Sequence, residues 1–132
     1  AFTLGDISDA RVHYASLMEG VAYAERFALE HMQEIGAEVG PVIYTAGRAC
    51  KSPQWMKIRA SVLNRELKVP EAVGADMGSA LLAASAVYFS SLEEAVRQMI
   101  TFQTVVQPDA ELAAAYEALY QKAKAEYKRR FL

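Results

Sequence analysis

Apolar residues recur at three- and four-residue steps from Tyr14 through Leu17, Val21, Ala24, Ala28 and Met32 to Ile35. That spacing predicts one amphipathic helix over about Ser8 to Ile35. Asp6 or Ser8 is placed to cap its start, and Gly36 to stop it. Glu19, Glu25, Arg26 and Glu30 lie mostly off the stripe and are expected on the solvated side. After Gly40-Pro41 the pattern changes to "VIYTA" (42–46), apolar, rich in β-formers and without polar alternation. It predicts a short strand buried on both faces, as in a parallel α/β sheet, with neighbours on both edges. Ser52 and Pro53 then open a second helix as N-cap and first helical residue. Trp55, Ile58, Arg59 and Val62 face one way along it, and Asn64 ends it.

"ELKVP" (66–70) alternates and stops at proline, the mark of a second short strand. "GADMGSALLAASAVYF" (74–89) predicts a helix whose Gly74, Gly78, Ala83 and Ala84 suit close packing on a sheet. Ser91 and Glu94 form a capping box for a helix running to about Ile100. After "QPDAEL" a last helix carries Leu112, Tyr116, Leu119, Tyr120, Ala123 and Tyr127 on one face. The lysines and arginines of its end, "KAKAEYKRRFL", oppose the negative helix terminus. The predicted order is α-β-α-β-α-α-α, a helix-rich α/β chain of five helices and two short parallel strands. Two strands bury too little surface to stand alone, so residues 1–132 are expected to be a single, partial domain of something larger.

Composition narrows the function classes. A net charge of −2 gives no general case for nucleic-acid binding. No uninterrupted apolar run is long enough to span a membrane, and no signal-peptide pattern opens the chain. Cys50 is the one cysteine, which excludes an internal disulfide and fits a cytoplasmic protein. With His13 and His31 as the only histidines, a histidine-rich metal site or a histidine-based triad has little to draw on. Asp6, Asp9, Asp76 and Asp109 show no spacing that suggests a paired acid–base site. No catalytic residue and no metal ligand is assigned within the chain.

The turn "TAGRACKSP" (45–53) holds the candidate chemistry. A strand, a glycine-containing turn and a well-capped helix suit phosphate or nucleotide binding, because helix-start N–H groups point outward and glycine allows close backbone approach. The turn matches neither the Walker A loop nor the dinucleotide fingerprint, since Gly47 is its only glycine. On pattern alone an ordinary β–α connection is the favoured reading. Trp55 reads as core and Cys50 as a small buried filler.

Three ordered blocks alter that balance: "LMEGVAYAERFALEHM" (17–32), "TAGRACKSPQWMKIRASVLNRELKVPE" (45–71) and "DMGSALLAASAV" (76–87). Together they resemble the C-terminal segment of FGGY-family carbohydrate kinases, xylulokinase-like members above all, over about Phe2 to Tyr127. Glu19-Gly20 stands where the family has a Glu-Gly pair, and Met77-Gly78-Ser79-Ala80 matches its "Leu-Gly-Ala-Ala". In the family's adenosine motif Gly47 matches the first of two glycines and Ser52 the helix cap. Arg48 replaces the second glycine, Lys57 stands where glutamine is common, and Ser61 where an aspartate is usual.

The resemblance implies an actin-like (ribonuclease H-like) ATPase fold, with this chain as the C-terminal part of the second, nucleotide-binding domain. It also implies phosphorylation of a sugar, a pentulose such as xylulose or a related sugar or polyol, from ATP with Mg2+. Gly47, Arg48, Ala49, Lys51 and Ser52 are the expected cofactor-binding residues. The family's catalytic base and phosphate loops have no counterpart here, so the 132 residues alone are expected not to catalyse. The competing expectation is a non-catalytic helical domain for self-association, for example as a homodimer, or for partner binding.

Overall fold

The computed structural model describes residues 2–72 and 74–131. Its elements are α1 (Ala10–Glu34), β1 (Val42–Tyr44), a 3-10 turn (Arg48–Lys51), α2 (Pro53–Leu63), β2 (Glu66–Pro70), α3 (Ala75–Val87), α4 (Leu92–Met99), β3 (Phe102–Val106) and α5 (Ala110–Phe131). The five expected helices are present, and the sheet has three strands rather than two. β3 (FQTVV) went unread because its five residues directly follow a helix.

Local signals set most boundaries. Asp9, not Asp6 or Ser8, caps α1, its Oδ1 accepting the Arg11 N–H at 2.7 Å. Gly36 has φ 94°, and the Ala37 and Gly36 amides donate to Met32 and Gln33 carbonyls at 2.9 and 3.0 Å. That pair of bonds is a Schellman stop, which needs the left-handed glycine. Ser52 caps α2 with Pro53 at its first position, and Asn64 closes it in the left-handed conformation. Ser91 accepts the Glu94 N–H at 3.1 Å, while Glu94 reaches back to the N–H of Ser90 at 2.9 Å rather than to that of Ser91.

The sheet order is β1-β2-β3, with β1 parallel and β3 antiparallel to β2. β2 alternates as expected, burying Leu67 and Val69. Among the described residues β1 pairs only with β2, and Tyr44 is 65% exposed against the ring of Phe102. These residues do not supply the second neighbour and the second covered face expected of its apolar run.

α2 is the centre of the packing. Its Met56, Ala60 and Leu63 meet Leu67 and Val69 of the sheet, while Val62 meets Ala22 of α1 and Tyr116 of α5. Trp55 packs against both clusters, so it is core as expected. Ser61 is buried, and its Oγ accepts the N–H of Asp109, the residue that caps α5, at 3.1 Å.

α1 overturns its own pattern. Tyr14, Leu17, Val21, Ala24, Ala28, Met32 and Ile35, expected in the core, are exposed, Ile35 to 85%. Glu19, Glu25, Arg26 and Glu30, expected in solvent, are half-buried against α2 and α5. The physical reason lies in the partners. Arg26 meets Glu117 at 2.6 Å and stacks 4.1 Å from the Tyr120 ring, and Glu30 meets Lys124 at 2.6 Å and the Tyr120 hydroxyl at 2.7 Å. Burial opposes ionisation of Glu30, but Lys124, Tyr120 and Arg26 outweigh it and hold the carboxyl below its usual range. Burial, with Glu19 adding to it, pushes the Tyr116 hydroxyl up to about 12.

The sheet contact expected of α3 is not made among the described residues. α3 lies against α4, no described residue of it is buried, and a Cβ on Gly78 would meet nothing within 4 Å. β3 occupies the free edge of β2, and α2 covers the inner sheet face. The small residues of α3 therefore have no sheet to approach among the described residues.

Candidate functional site

β1 and β2 run parallel, so the segments that leave their carboxyl ends emerge on one edge of the sheet. After β1 comes the turn to α2, and after β2 comes the lead into α3. Open α/β sheets bind ligands at that edge, because loops there diverge and leave a crevice. β3 runs the other way, which brings its start to the same edge. There a cleft of about 340 Å3 opens between Pro70, Ala72 and Met77 on one side and Met99 and Ile100 on the other. Glu71 and Thr101, hydrogen-bonded to each other at 3.0 Å, complete the lining. The sequence reading missed this cleft, whose mixed apolar and polar lining comes from segments far apart in the chain.

The turn itself is built in three steps. Thr45 extends the strand pairing, its N–H donating to the Lys68 carbonyl at 3.0 Å. Gly47 then takes φ 99°, a conformation that residues with a Cβ rarely adopt, and open space lies where a Cβ would sit. Arg48–Lys51 form one 3-10 turn, with the Cys50 and Ser52 amides donating to Gly47 and Ala49 carbonyls at 3.1 Å each. The Ser52 Oγ accepts the Trp55 N–H at 3.3 Å and starts α2.

The structure therefore brings Gly47, Arg48, Ala49, Lys51 and Ser52 onto one continuous turn. Arg48, Ala49 and Lys51 are exposed, and among the described residues neither cation has an ion-pair partner. Lys57 does not join them, since it pairs with Asp109 at 3.0 Å. Asp109 in turn is held below its usual carboxyl range, chiefly by the Leu112 N–H and then by Lys57. Cys50 is half-buried against the core, close to the filler role expected of it.

Behind the turn lies a network that sequence reasoning did not find. Arg59 of α2 grips Glu25 of α1 through Nε at 2.7 Å and Nη2 at 2.5 Å. Its Nη1 donates to the Thr45 hydroxyl, and that hydroxyl lies 3.6 Å from the Cys50 sulfur. The signal available in the sequence was a charge, Arg59, placed on an apolar helix face.

Among the described residues no three His, Cys, Asp or Glu side chains converge as a metal site. No described helix is long and apolar enough to cross a membrane.

Comparison with known proteins supplies the family. The sequence pattern of the FGGY family of carbohydrate kinases, C-terminal domain, matches residues 3–87. The chain is 32% identical over 117 residues to the xylulose kinase of Bacillus subtilis (strain 168), covering 86% of this chain and 23% of that protein. It is 34% identical over 116 residues to the ribulokinase of Halalkalibacterium halodurans, covering 83% of this chain and 21% of that protein. The xylulose kinase structure from Rhodospirillum rubrum superposes with a TM-score of 0.78 at 27% identity, over 98% of this chain and 27% of that one. A ligand-bound xylulose kinase from Lactobacillus acidophilus reaches a TM-score of 0.82 at 17% identity, over 96% of this chain and 26% of that one, which shows the shared fold alone. The chain thus spans about a quarter of the length of these proteins. The helix-rich, partial α/β unit expected from the sequence is the fold observed, and the chain belongs to the FGGY family of carbohydrate kinases, matching its C-terminal domain.

Proposed function

We propose that residues 1–132 are the C-terminal part of the second, nucleotide-binding domain of an ATP-dependent carbohydrate kinase. The complete enzyme transfers the γ-phosphoryl group of ATP to a hydroxyl of a sugar, a pentulose such as xylulose or a related sugar or polyol. The xylulose kinase and ribulokinase relatives support that substrate class. This chain supplies part of the adenosine site through Gly47, Arg48, Ala49, Lys51 and Ser52. The observation that carries the reading is the placement of the Gly47 turn and the start of α3 at one carboxyl edge of a parallel strand pair.

Each turn residue has a physical part in this reading. Gly47 bares the backbone, and Arg48 has the planar cation that stacks on a base or pairs with a phosphate. Lys51 adds positive charge, Ala49 keeps the surface low, and Ser52 holds the first turn of α2. Pro53 lacks an N–H and Ser52 takes that of Trp55, so the helix start keeps few donors for a phosphate. The turn suits a nucleoside better than a triphosphate. Phosphoryl transfer rests on positioning and charge neutralisation. In this reading the phosphate grip, the base and the residues that hold Mg2+ belong to the remainder of a cytoplasmic enzyme without nucleic-acid or membrane partners.

Titration of ADP into the full-length protein tests the assignment. Gly47→Val is expected to weaken binding at least about tenfold, because valine does not hold the glycine conformation and fills the open surface above it. Wild-type affinity in that variant removes the turn from the adenosine site.

One observation favours a second role for the chain by itself. The stripe from Tyr14 to Ile35 on α1 and the Tyr44–Phe102 pair leave apolar surface in solvent. The isolated 132 residues are therefore expected to self-associate, for example as a homodimer, or to bind a partner. Sedimentation checks this, and a monodisperse monomer at high concentration counts against it.

A further inference from the structure

Arg59 of α2 ties Glu25 of α1 to Thr45 at the end of β1. Its side chain is 12% exposed, and the planar fork uses two nitrogens on the Glu25 carboxylate and the third on the Thr45 hydroxyl. Such a fork sets the spacing between the groups it bridges, because the guanidinium is rigid and its bonds to a carboxylate are charge-assisted. Thr45 is 8% exposed and stands two residues before Gly47. Its N–H is committed to the Lys68 carbonyl, so the sheet holds its backbone while Arg59 holds its side chain. Having accepted from Arg59, the hydroxyl also lies 3.6 Å from the Cys50 sulfur inside the 3-10 turn, a contact in which either group can donate. The turn is thus held before Gly47 by Thr45, in its middle through Cys50 and at its end by the Ser52 cap.

We infer that Arg59, anchored by Glu25, is a positioning residue that holds Thr45 and the turn from Gly47 to Ser52 in the shape that receives the nucleotide. The inference rests on the adenosine reading above. Arg59 itself touches no ligand in this account and acts through Thr45. Other buried cations of the chain do a different task. Arg26 bridges α1 to α5 through Glu117 and to α2 through the Val62 carbonyl, and among the described residues it makes no bond to the turn.

The test compares variants of the full-length protein by ADP titration, by ATP-dependent sugar phosphorylation and by thermal melting. Arg59→Met is expected to raise the ADP Kd and the KM for ATP about tenfold with kcat within about twofold, since lost positioning weakens binding by an amount of that order. Thr45→Val leaves the Glu25–Arg59 pair in place and is expected to reproduce about half of that effect on a logarithmic scale. Arg59→Lys is expected to recover part of the affinity, because one ammonium replaces only some of the fork. Arg26→Met breaks a more exposed inter-helix bridge and is expected to lower the melting temperature with nucleotide affinity unchanged. If Arg59→Met also melts lower but binds ADP like the wild type, the network is only structural and the inference falls. Should Arg59→Met not fold, wild-type affinity in Thr45→Val overturns it equally. A wild-type protein that binds no ADP fails at the earlier step and removes the adenosine reading, and this inference with it.

Discussion

Replacing Tyr120 with alanine is expected to destabilise the folded chain by about 4 kcal/mol, the usual range for truncating a buried aromatic residue. Tyr120 is 1% exposed and is the largest fully buried side chain. Its ring lies beneath the Arg26 guanidinium at 4.1 Å and tilts against Tyr23 at 5.9 Å. Its hydroxyl donates to Glu30 at 2.7 Å. Alanine removes the ring's dispersion contacts and takes a donor from a carboxylate whose ionisation burial already opposes. Tyr120→Phe separates the two effects, and its cost is expected to be about 1–2 kcal/mol, since Lys124 and Arg26 still hold Glu30. Urea unfolding followed by tryptophan fluorescence measures both, because Trp55 is the one tryptophan and packs against both core clusters. Equal costs for the two variants would mean that the hydroxyl, and not the packed ring, holds α5 to α1.

Leu67→Ala is expected to cost about 3 kcal/mol, within the range for emptying a leucine site in a packed core. Leu67 is fully buried in the middle strand, level with Ile43 on one side and Val106 on the other. Met56, Ala60 and Leu63 of α2 close over it. With strands fixed on both sides by their ladders, the site has little room to collapse, so most of the cavity persists. Val105→Ala is the matching control. Its side chain is half-exposed, and the loss is expected within about 0.5 kcal/mol. The urea midpoint should fall for Leu67→Ala with an unchanged slope, and a drop no larger than for Val105→Ala would show that α2 is not seated on this strand.

The turn from Gly47 to Ser52 illustrates how much of the candidate site was legible in advance. Gly47, Ser52 and Pro53 announce a glycine-containing turn, a cap and a helix start through their own backbone chemistry, and the structure has all three. The family was legible too, because three blocks in order carry more information than any one of them. The brace behind the turn was not. Glu25 and Arg59 are 34 residues apart, and each looked ordinary on its own helix. The cleft beside Met77 was equally hidden, since it joins the ends of β2 and α4 with the start of α3.

By itself the sequence determined where helices begin and end, which strand alternates, and which family the chain joins. Caps, stops and periodicity act within a few residues, so a local reading captures their cause. Only the tertiary structure decided which face of α1 is covered. Periodicity marks a helix face as apolar but not what lies opposite it. Here Glu117 and Lys124, about ninety residues further along the chain, meet the charged face of α1 and bury it. The same holds for β3, which reaches the sheet through pairing with β2. Long-range partners carry that information, and they exist only once the chain has folded.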